Sequence, residues 1–303
     1  HKIDILVDLS GNTGDNRMDV LAKKPAPMII SMIGYPNTTG LSSVDYKLTD
    51  YYADSKEAEK YYSERLLRME TGSFLCYSPN MIRDTRQPLE EQLEILPKLV
   101  PKKGNTVTFG CFNRFNKLSD LTINTWCEIL HRIPNSRLVL KTKEFASEEI
   151  TNRLLALVDG YEKLTGNSVS SRIELFNYKD GYEEHLLDYN ELDVALDTFP
   201  YAGTTTTCEA LMMGVPVVTL RDIKTHVHAQ NVGYSLLSNC GLAEYVASTK
   251  EEYIQKCVDL VKSGIPEKSE IRAKFTTSPV YDKRQYIGEF ERLLVEGYNE
   301  LNV

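Results

Sequence analysis

The stretch DTFPYAGTTTTCEALMMGVPVVTL, Asp197 to Leu220, decides the fold, because it reads as strand end, turn, helix and strand in one run. Four consecutive threonines, Thr204 to Thr207, stand where the helix should begin. Threonine is a poor residue inside a helix, since its branched Cβ loses rotamer freedom against the preceding turn. At a helix start it is favourable, because its hydroxyl can cap the helix or donate to a ligand oxygen.

A helix start is also a place where phosphate binds. Its unpaired backbone N–H groups and partial positive charge attract an anion without a cationic side chain. Gly203 allows the backbone to come close, and Glu209, one turn further on, is placed to accept from ribose hydroxyls. We interpret Thr204, Thr205 and Thr206 as a phosphate-binding helix start. A plain capped core helix with an incidental run of threonines remains the alternative.

The same alternation of strand and helix continues on both sides of this stretch. It predicts an α/β fold with a parallel sheet and helices on both faces. The first hundred residues hold apolar runs with few helices between them, so we expect a first half that is incomplete at its N-terminal end. Strands are predicted at 3–9, 28–34, 45–50, 65–69, 107–113, 137–141, 172–177, 193–198 and 216–220, and helices at 119–132, 146–158, 181–192 and from the threonine run.

The domain boundaries follow from this rhythm. Residues 1–78 form the C-terminal part of the first half, and residues 79–104, rich in proline at their ends, form a connector. Residues 105–282 form the second half. Residues 283–303 form an amphipathic C-terminal helix.

Composition excludes several classes of protein. The formal net charge of −8 argues against a nucleic-acid partner recruited by bulk electrostatics. Six scattered cysteines without a CxxC pair argue against a disulfide framework or a zinc site and fit a reducing compartment. Because there is no signal peptide and no apolar run of membrane-spanning length, we expect no membrane partner and a cytoplasmic and nuclear location.

A phosphate ligand still needs a cation. The chain has no GxxxxGK[ST] loop, no GxGxxG after a strand and no Asp-x-Asp pair that would let a metal ion hold a diphosphate. We therefore expect no metal cofactor. Lys117, which follows the strand 107–113, is the candidate cation, and Arg114 is placed to assist. The alternative for Lys117 is an ordinary solvated surface lysine.

Two histidines are further candidates. His228, just after the strand PVVTL, can reach the same crevice, and His185 lies either near a base pocket or at the surface. Nucleophile motifs are absent: there is no GxSxG elbow and no cysteine with a convincing histidine partner.

The motifs as a set are similar to those of one family. DILVDLSGNTGDNR, KPAP (24–27), GYPNTTG (34–40), DYKLTD, FNRFNK, IPNSRLVLK and the threonine stretch occur in this order over almost all 303 residues. The chain resembles the catalytic region of the nucleocytoplasmic protein O-glycosyltransferases, which comprise O-GlcNAc transferase and the SPINDLY-type O-fucosyltransferases. YPNTTGL, SFLCYSP, TTTTCEALMMGVP and HVHAQNVGYSLL look like the SPINDLY branch.

The resemblance implies a GT-B fold, in which two Rossmann-like halves hold a nucleotide-sugar donor in the cleft between them. It also implies an inverting, metal-independent transfer. By resemblance, Lys117 neutralises the donor phosphates as the catalytic residue, and residues 176–180 meet the base. The predicted donor-binding residues combine those that the resemblance implies with the candidates argued above from the sequence. They are Gly34, Tyr35, Pro36, Arg114, Asn177, Tyr178, Asp180, Tyr201, Gly203, Thr204, Thr205, Thr206, Glu209 and His228.

The chain departs from the O-GlcNAc transferase pattern at three positions. Tyr182 and Asp188 match positions where that branch has a lysine and an arginine that contact the donor, and Thr204 matches a histidine. These departures favour GDP-fucose over UDP-GlcNAc. Acceptors are expected to be proteins carrying Ser or Thr. The family's base-like residues and its tetratricopeptide repeats, through which oligomers can form, are expected upstream of His1.

Two other classes of function remain open at this point. One is a nucleotide-binding or protein-interaction module without turnover. The other is a GT-B enzyme that acts on small molecules or glycans.

Overall fold

The computed structural model describes residues 2–82, 86–102 and 104–301, which form two α/β units. The first unit has four parallel strands in the order β1-β2-β3-β4, and α1 (Met18–Leu21) lies between β1 and β2. All four strands fall inside the predicted ranges. They are β1 (Ile5–Asp8), β2 (Met28–Ser31), β3 (Tyr46–Asp50) and β4 (Arg65–Met69).

The second unit has six parallel strands in the order β10-β9-β8-β5-β6-β7. The chain therefore moves outward from β5 through β6 to β7, then returns to β8 on the other side of β5. This reversal between β5 and β8 is the switch point at which α/β sheets bind ligands. The strands are β5 (Val107–Cys111), β6 (Ser136–Lys141), β7 (Ile173–Phe176), β8 (Val194–Leu196), β9 (Val217–Leu220) and β10 (Val246–Ala247).

Helices cover both faces of this second sheet, as predicted. The described helices after β4 are α2 (Leu89–Ile95), α3 (Asp120–Arg132), α4 (Glu148–Thr165), α5 (Tyr182–Leu187), α6 (Thr205–Met212), α7 (His228–Asn239), α8 (Lys250–Ser263), α9 (Lys268–Thr276) and α10 (Lys283–Leu301). The sequence left α7, α8, α9 and β10 unassigned, and α4 runs seven residues beyond its predicted end at 158.

Successive side chains of the central strands pack into two separate cores, because they point to opposite faces of the sheet. Leu138 and Leu140 of β6 pack with α3, α4 and α8, where Trp126 is fully buried. Val139 packs on the opposite face with α6, α7 and α9. The sheet is thus the middle of three layers. Full burial of each such side chain contributes about 1.5–3 kcal/mol.

The C-terminal helix α10 returns to the first unit. Its residue Leu293 is buried against Met28 and Tyr46 of the first sheet. A Cβ at Gly297 would lie only 3.1 Å from the Tyr46 ring, so the glycine permits this close approach. Of the predicted C-terminal helix 283–303, the described part, α10, therefore packs on the first half, and residues 302 and 303 lie outside the described residues.

Two aspartates, one at the end of β3 and one just after it, connect the halves. The Asp50 carboxylate accepts from the Ser235 hydroxyl of α7, and the Asp54 carboxylate lies 2.6 Å from Nδ1 of His228 at the start of α7. Both aspartates are buried. Because they hold one helix of the second unit, the carboxyl ends of the two sheets are fixed relative to each other.

Of the predicted connector 79–104, residues 83–85 and 103 lie outside the described residues, and its one described helix is α2. Within the described ranges, no helix is long and apolar enough to cross a membrane.

Candidate active site

The turn between β8 and α6 is built on one buried carboxylate. Asp197 accepts from the backbone N–H of Gly203 at 2.6 Å and of Thr198 at 2.9 Å, and from the Thr219 hydroxyl at 2.7 Å. Burial raises the pKa of Asp197 to about 6, although these hydrogen bonds act to lower it. The carboxylate therefore fixes the glycine that precedes the threonine run.

Gly203 is required because the turn has no room for a side chain. A Cβ at this position would meet Oγ1 of Thr206 at 2.7 Å, Oγ1 of Thr207 at 2.8 Å and Nδ2 of Asn113 at 3.1 Å. The Thr206 hydroxyl donates to Oδ1 of Asn113 at 2.7 Å, which ties the helix start to the end of β5. The sequence missed Asn113, although it stands in the FNRFNK motif directly after the strand.

The threonines fall where the sequence places them, at the N-cap and in the first turn of α6. Thr204 is the N-cap residue, yet its side chain makes no capping hydrogen bond within the described residues. The hydroxyl of Thr206 is used by Asn113, while Thr205 is exposed and Thr207 is buried. The capping role predicted for the hydroxyl is thus not seen, and binding by Thr205 to a ligand stays a prediction.

Lys117 reaches this helix start from a distant part of the chain. It ends a 3₁₀ turn after β5, and its Nζ donates to the Ala202 carbonyl at 2.7 Å. The ammonium lies 4.1 Å from the centre of the Tyr201 ring. Burial lowers the pKa of Lys117, although Asp197 acts in the opposite direction. The lysine is therefore a partly desolvated cation beside the helix start, and it is not a solvated surface residue.

Glu209 lies one turn into α6 and is buried. Its Oε2 lies 3.2 Å from Nε2 of His185 and 3.4 Å from the Tyr189 hydroxyl. His185 is therefore an inward-facing residue on α5, which answers the question that its sequence position left open. The predicted contact of Glu209 with ribose hydroxyls stays a prediction.

A cavity of about 300 Å³ lies between the two halves at this point. Five of the predicted residues line it: Gly34, Pro36, Tyr201, Thr204 and Thr205. The end of the first half, just before the connector, contributes Leu75, Cys76 and Tyr77. The structure thus brings together the first-half loop and the threonine run, which are far apart in the sequence.

The first-half loop is held rigidly. A Cβ at Gly34 would lie 1.8 Å from the Leu9 carbonyl oxygen, so only glycine fits there. The buried Lys47 donates to the Tyr35 carbonyl at 2.9 Å. Tyr35 also approaches Tyr201 across the cleft, and burial together with Tyr35 raises the pKa of Tyr201.

A second cavity of about 520 Å³ lies at the carboxyl ends of β5, β6 and β7. It contains the predicted residues Arg114 and Tyr178. Asn177 and Asp180 are exposed on the loop after β7 and do not line it. The other lining residues are Phe112, Lys141, Thr142, Lys143, Glu144 and His185.

Lys141 and Lys143 are the residues that sequence reasoning missed here. The signal was present in RLVLKTK, where two lysines follow a buried run at the carboxyl end of a strand, as Lys117 does after β5. Lys141 Nζ lies 2.9 Å from Oδ2 of Asp188, one of the positions that depart from the O-GlcNAc transferase pattern. Tyr182, the other, shares a 2.7 Å hydrogen bond between its hydroxyl and that of Tyr77.

His228 lies outside both cavities. It is buried against Asp54 and the Phe74 ring, whose centre is 4.9 Å from the imidazole centre. The sequence prediction placed it in the ligand crevice because it follows β9. The side chain turns toward the first unit, where it meets the buried Asp54 carboxylate, which also accepts from the Thr49 and Tyr62 hydroxyls.

No group of three or more histidine, cysteine, aspartate or glutamate side chains within residues 2–82, 86–102 and 104–301 is placed to hold a metal ion. Metal independence stays a prediction.

The chain is similar to known proteins over nearly its whole length. A sequence model described as "Glycosyl transferase family 41" matches residues 1–93 and 99–290. A Hordeum vulgare protein named "Probable UDP-N-acetylglucosamine--peptide N-acetylglucosaminyltransferase SPINDLY" is 40% identical over 94% of this chain and 28% of its own length. The Arabidopsis thaliana protein of the same name is 42% identical over 89% of this chain and 28% of its own length.

The fold is also similar to that of a solved structure. A mutant of the Thermobaculum terrenum O-GlcNAc transferase superposes with a TM-score of 0.81 at 30% identity, covering 98% of this chain and 54% of that one. The chain spans less than a third of the length of the two SPINDLY relatives. The family match covers most of both halves, and the fold agrees with the GT-B prediction. The chain therefore belongs to glycosyl transferase family 41.

Proposed function

We propose that the chain carries the donor site of a protein O-fucosyltransferase. The full protein would move fucose from GDP-fucose to Ser or Thr hydroxyls of nuclear and cytoplasmic proteins, with inversion and without a metal ion. One observation carries this proposal: Lys117 and the start of α6 converge on one point of the cleft. Nζ of Lys117 lies 2.7 Å from the carbonyl of Ala202, two residues before the N-cap Thr204.

The geometry supports a departing diphosphate at this point. The acceptor oxygen bonds to the anomeric carbon as the bond from that carbon to the phosphate oxygen breaks, and the electron pair leaves with the diphosphate. Attack from the face opposite the diphosphate inverts the anomeric centre. Negative charge grows on the leaving oxygens, where the ammonium of Lys117 and the N–H groups of α6 stabilise it.

Positioning supplies much of the remaining rate enhancement. Asp197 and Asn113 support the helix start, because one carboxylate holds Gly203 and one amide holds Thr206. Lys47 fixes the opposing loop through the carbonyl of Tyr35. A donor between these two surfaces would meet groups that are already oriented before it binds.

The donor assignment rests on two positions. Resemblance places Tyr182 and Asp188 where O-GlcNAc transferases carry a lysine and an arginine that contact the donor. A guanidinium donates hydrogen bonds, whereas a carboxylate accepts them. Asp188 therefore cannot make the contacts of that arginine, which favours a nucleotide other than a uridine diphosphate.

The alternative donor is UDP-GlcNAc, which the names of the SPINDLY relatives favour. The test is to incubate the full-length protein and an acceptor peptide with each donor separately and to read the mass added to the peptide. We expect a deoxyhexose from GDP-fucose. Addition of an N-acetylhexosamine alone would show that the donor assignment is wrong.

The same assay also tests the alternative that the protein is a nucleotide-binding module without turnover. Such a module would bind GDP but add no mass with either donor, and loss of the Lys117 charge would then weaken binding without affecting any product. The engaged, partly buried position of Lys117 supports turnover over binding alone.

A further inference from the structure

Lys141, which lines the second cavity, forms a buried ion pair with Asp188, which adjoins the cavity through this lysine. Lys141 Nζ approaches Oδ2 of Asp188 to 2.9 Å, and the two side chains are 1% and 10% exposed. The lysine also donates to the His185 carbonyl at 3.1 Å. A buried pair of this kind is weak evidence for stability, because the loss of hydration offsets the attraction of the charges. Its place beside a cavity suggests a role in binding.

The walls of this cavity suit a flat heteroaromatic ligand. Phe112, Tyr178 and His185 present rings, and the lysine ammonium lies 4.1 Å from the centre of the Phe112 ring. Lys143 lies 4.3 Å from the centre of the Tyr178 ring. Aromatic faces flanked by cations stack well on nucleobases.

One buried atom in the wall has no partner. Nδ1 of His185 makes no hydrogen bond within the described part of the chain, whereas its Nε2 faces the Glu209 carboxylate. A carboxylate accepts, so Nε2 carries the proton and Nδ1 is left as an acceptor. Buried polar atoms are normally hydrogen-bonded. Nδ1 of His185 is therefore an unpaired polar atom, within the described residues, in a side chain that lines the cavity.

We propose that Lys141 and Asp188 together read the base of the donor and select guanine, an inference that rests on the proposed function. Guanine presents the O6 acceptor next to the N1–H and 2-amino donors. Lys141 donates to O6, and Asp188 accepts from N1–H and the 2-amino group. Uracil offers one N–H between two carbonyl oxygens, so a carboxylate at that edge meets at most one donor and faces repulsion from an oxygen.

The pair can be approached without breaking its buried bond. Oδ1 of Asp188 is held at 2.5 Å by Lys179, whose side chain is 44% exposed. An exposed lysine contributes little to such a pair, so an incoming base can replace it at small cost. Oδ2 keeps its bond to Lys141 throughout.

The test compares GDP with inosine diphosphate, which lacks only the 2-amino group, by isothermal titration of the full-length protein. A hydrogen bond to a charged acceptor predicts that the wild type binds GDP about 10- to 100-fold more tightly. In Asp188→Asn the ratio should fall by about fivefold or more, since the neutral amide oxygen accepts more weakly. Glu191→Gln, the same change on the exposed end of the same turn, should leave the ratio as in the wild type.

The ratio is measured within each variant, so partial unfolding reduces both affinities equally and does not move it. If the wild type binds GDP and inosine diphosphate equally well, the inference is overturned without any variant. An unchanged ratio in Asp188→Asn overturns it as well, while the proposed donor stands. Preference of the wild type for UDP over GDP would instead show that the proposed donor is wrong, and the inference would fall with it.

Discussion

Replacing Lys117 with methionine removes the cation from the proposed diphosphate site and keeps an unbranched stem against Tyr201. The wild-type ammonium lies 4.1 Å from that ring and donates to Ala202 at 2.7 Å. Two unit charges about 4 Å apart attract by about 4 kcal/mol at an effective dielectric constant of about 20. We therefore expect a transition-state loss of about 3–4 kcal/mol, or about 10²- to 10³-fold in kcat.

Binding should fall by less than turnover, because the charge on the leaving oxygens is larger in the transition state than in the bound donor. We expect about a tenfold loss in nucleoside diphosphate affinity. The folded state should change little, since burial of the ammonium already costs hydration and methionine does not have that cost. Thermal unfolding should therefore stay within a few degrees of the wild type.

The assay is peptide glycosylation by the full-length protein at saturating donor, with KM and kcat determined separately. The matched control is Lys163→Met, which removes the same charge from the exposed side of α4, where Lys163 pairs with Asp159 at 2.6 Å. That variant should keep its kcat within about twofold, as expected for an exposed pair. A Lys117→Met enzyme with kcat within about fivefold of the wild type would refute the reasoning on transition-state charge.

The remaining predictions concern the support of the site. Gly203→Ala should destabilise the folded state by about 1–3 kcal/mol through overpacking and should reduce donor affinity. Gly160→Ala, in open space on α4, should stabilise the folded state by about 0.5–1 kcal/mol. Equal effects of the two variants in thermal denaturation would contradict this reasoning. Because burial raises the pKa of Asp197 from 3.8 to about 6, the folded state binds this proton more tightly than the unfolded state does. The resulting stabilisation is complete below about pH 4 and is lost as the pH rises through about 6. Urea titrations should therefore show Asp197→Asn losing about 3 kcal/mol less than the wild type over this range, and parallel pH curves would count against it. His228→Ala should cost about 1–3 kcal/mol by removing the hydrogen bond between the imidazole and the buried Asp54 carboxylate, and no measurable loss in the free energy of unfolding would show that this contact does not hold the halves together.

Much of the fold follows from local patterns in the sequence. Each predicted strand overlaps an observed one, for example 107–113 with Val107–Cys111, because buried parallel strands leave short continuous apolar runs. The threonine run was placed correctly at the start of α6, since helix starts have a local residue preference. Lys117 was a candidate cation from its position after a strand, and the structure brings its Nζ to the turn before α6, while its role in binding phosphate stays a prediction.

The parts that failed depend on contacts between distant segments. Nothing local in HVHAQNVG shows that His228 turns toward Asp54, because the two residues lie in different halves and are 174 residues apart in the sequence. The packing of α10 on the first sheet depends on Tyr46 and Gly297, which are 251 residues apart in the sequence. Lys141 was assigned to a strand, and its burial became evident only when Asp188 was placed beside it.

We propose that this family 41 cleft serves GDP-fucose in protein glycosylation. The most direct measurement is one reaction of the full-length protein with an acceptor protein and equal concentrations of GDP-fucose and UDP-GlcNAc, with the modified acceptor counted by intact mass. We expect deoxyhexose-modified acceptor to dominate and Lys117→Met to reduce it by about 10²-fold or more. Acceptor carrying N-acetylhexosamine in place of deoxyhexose would contradict it.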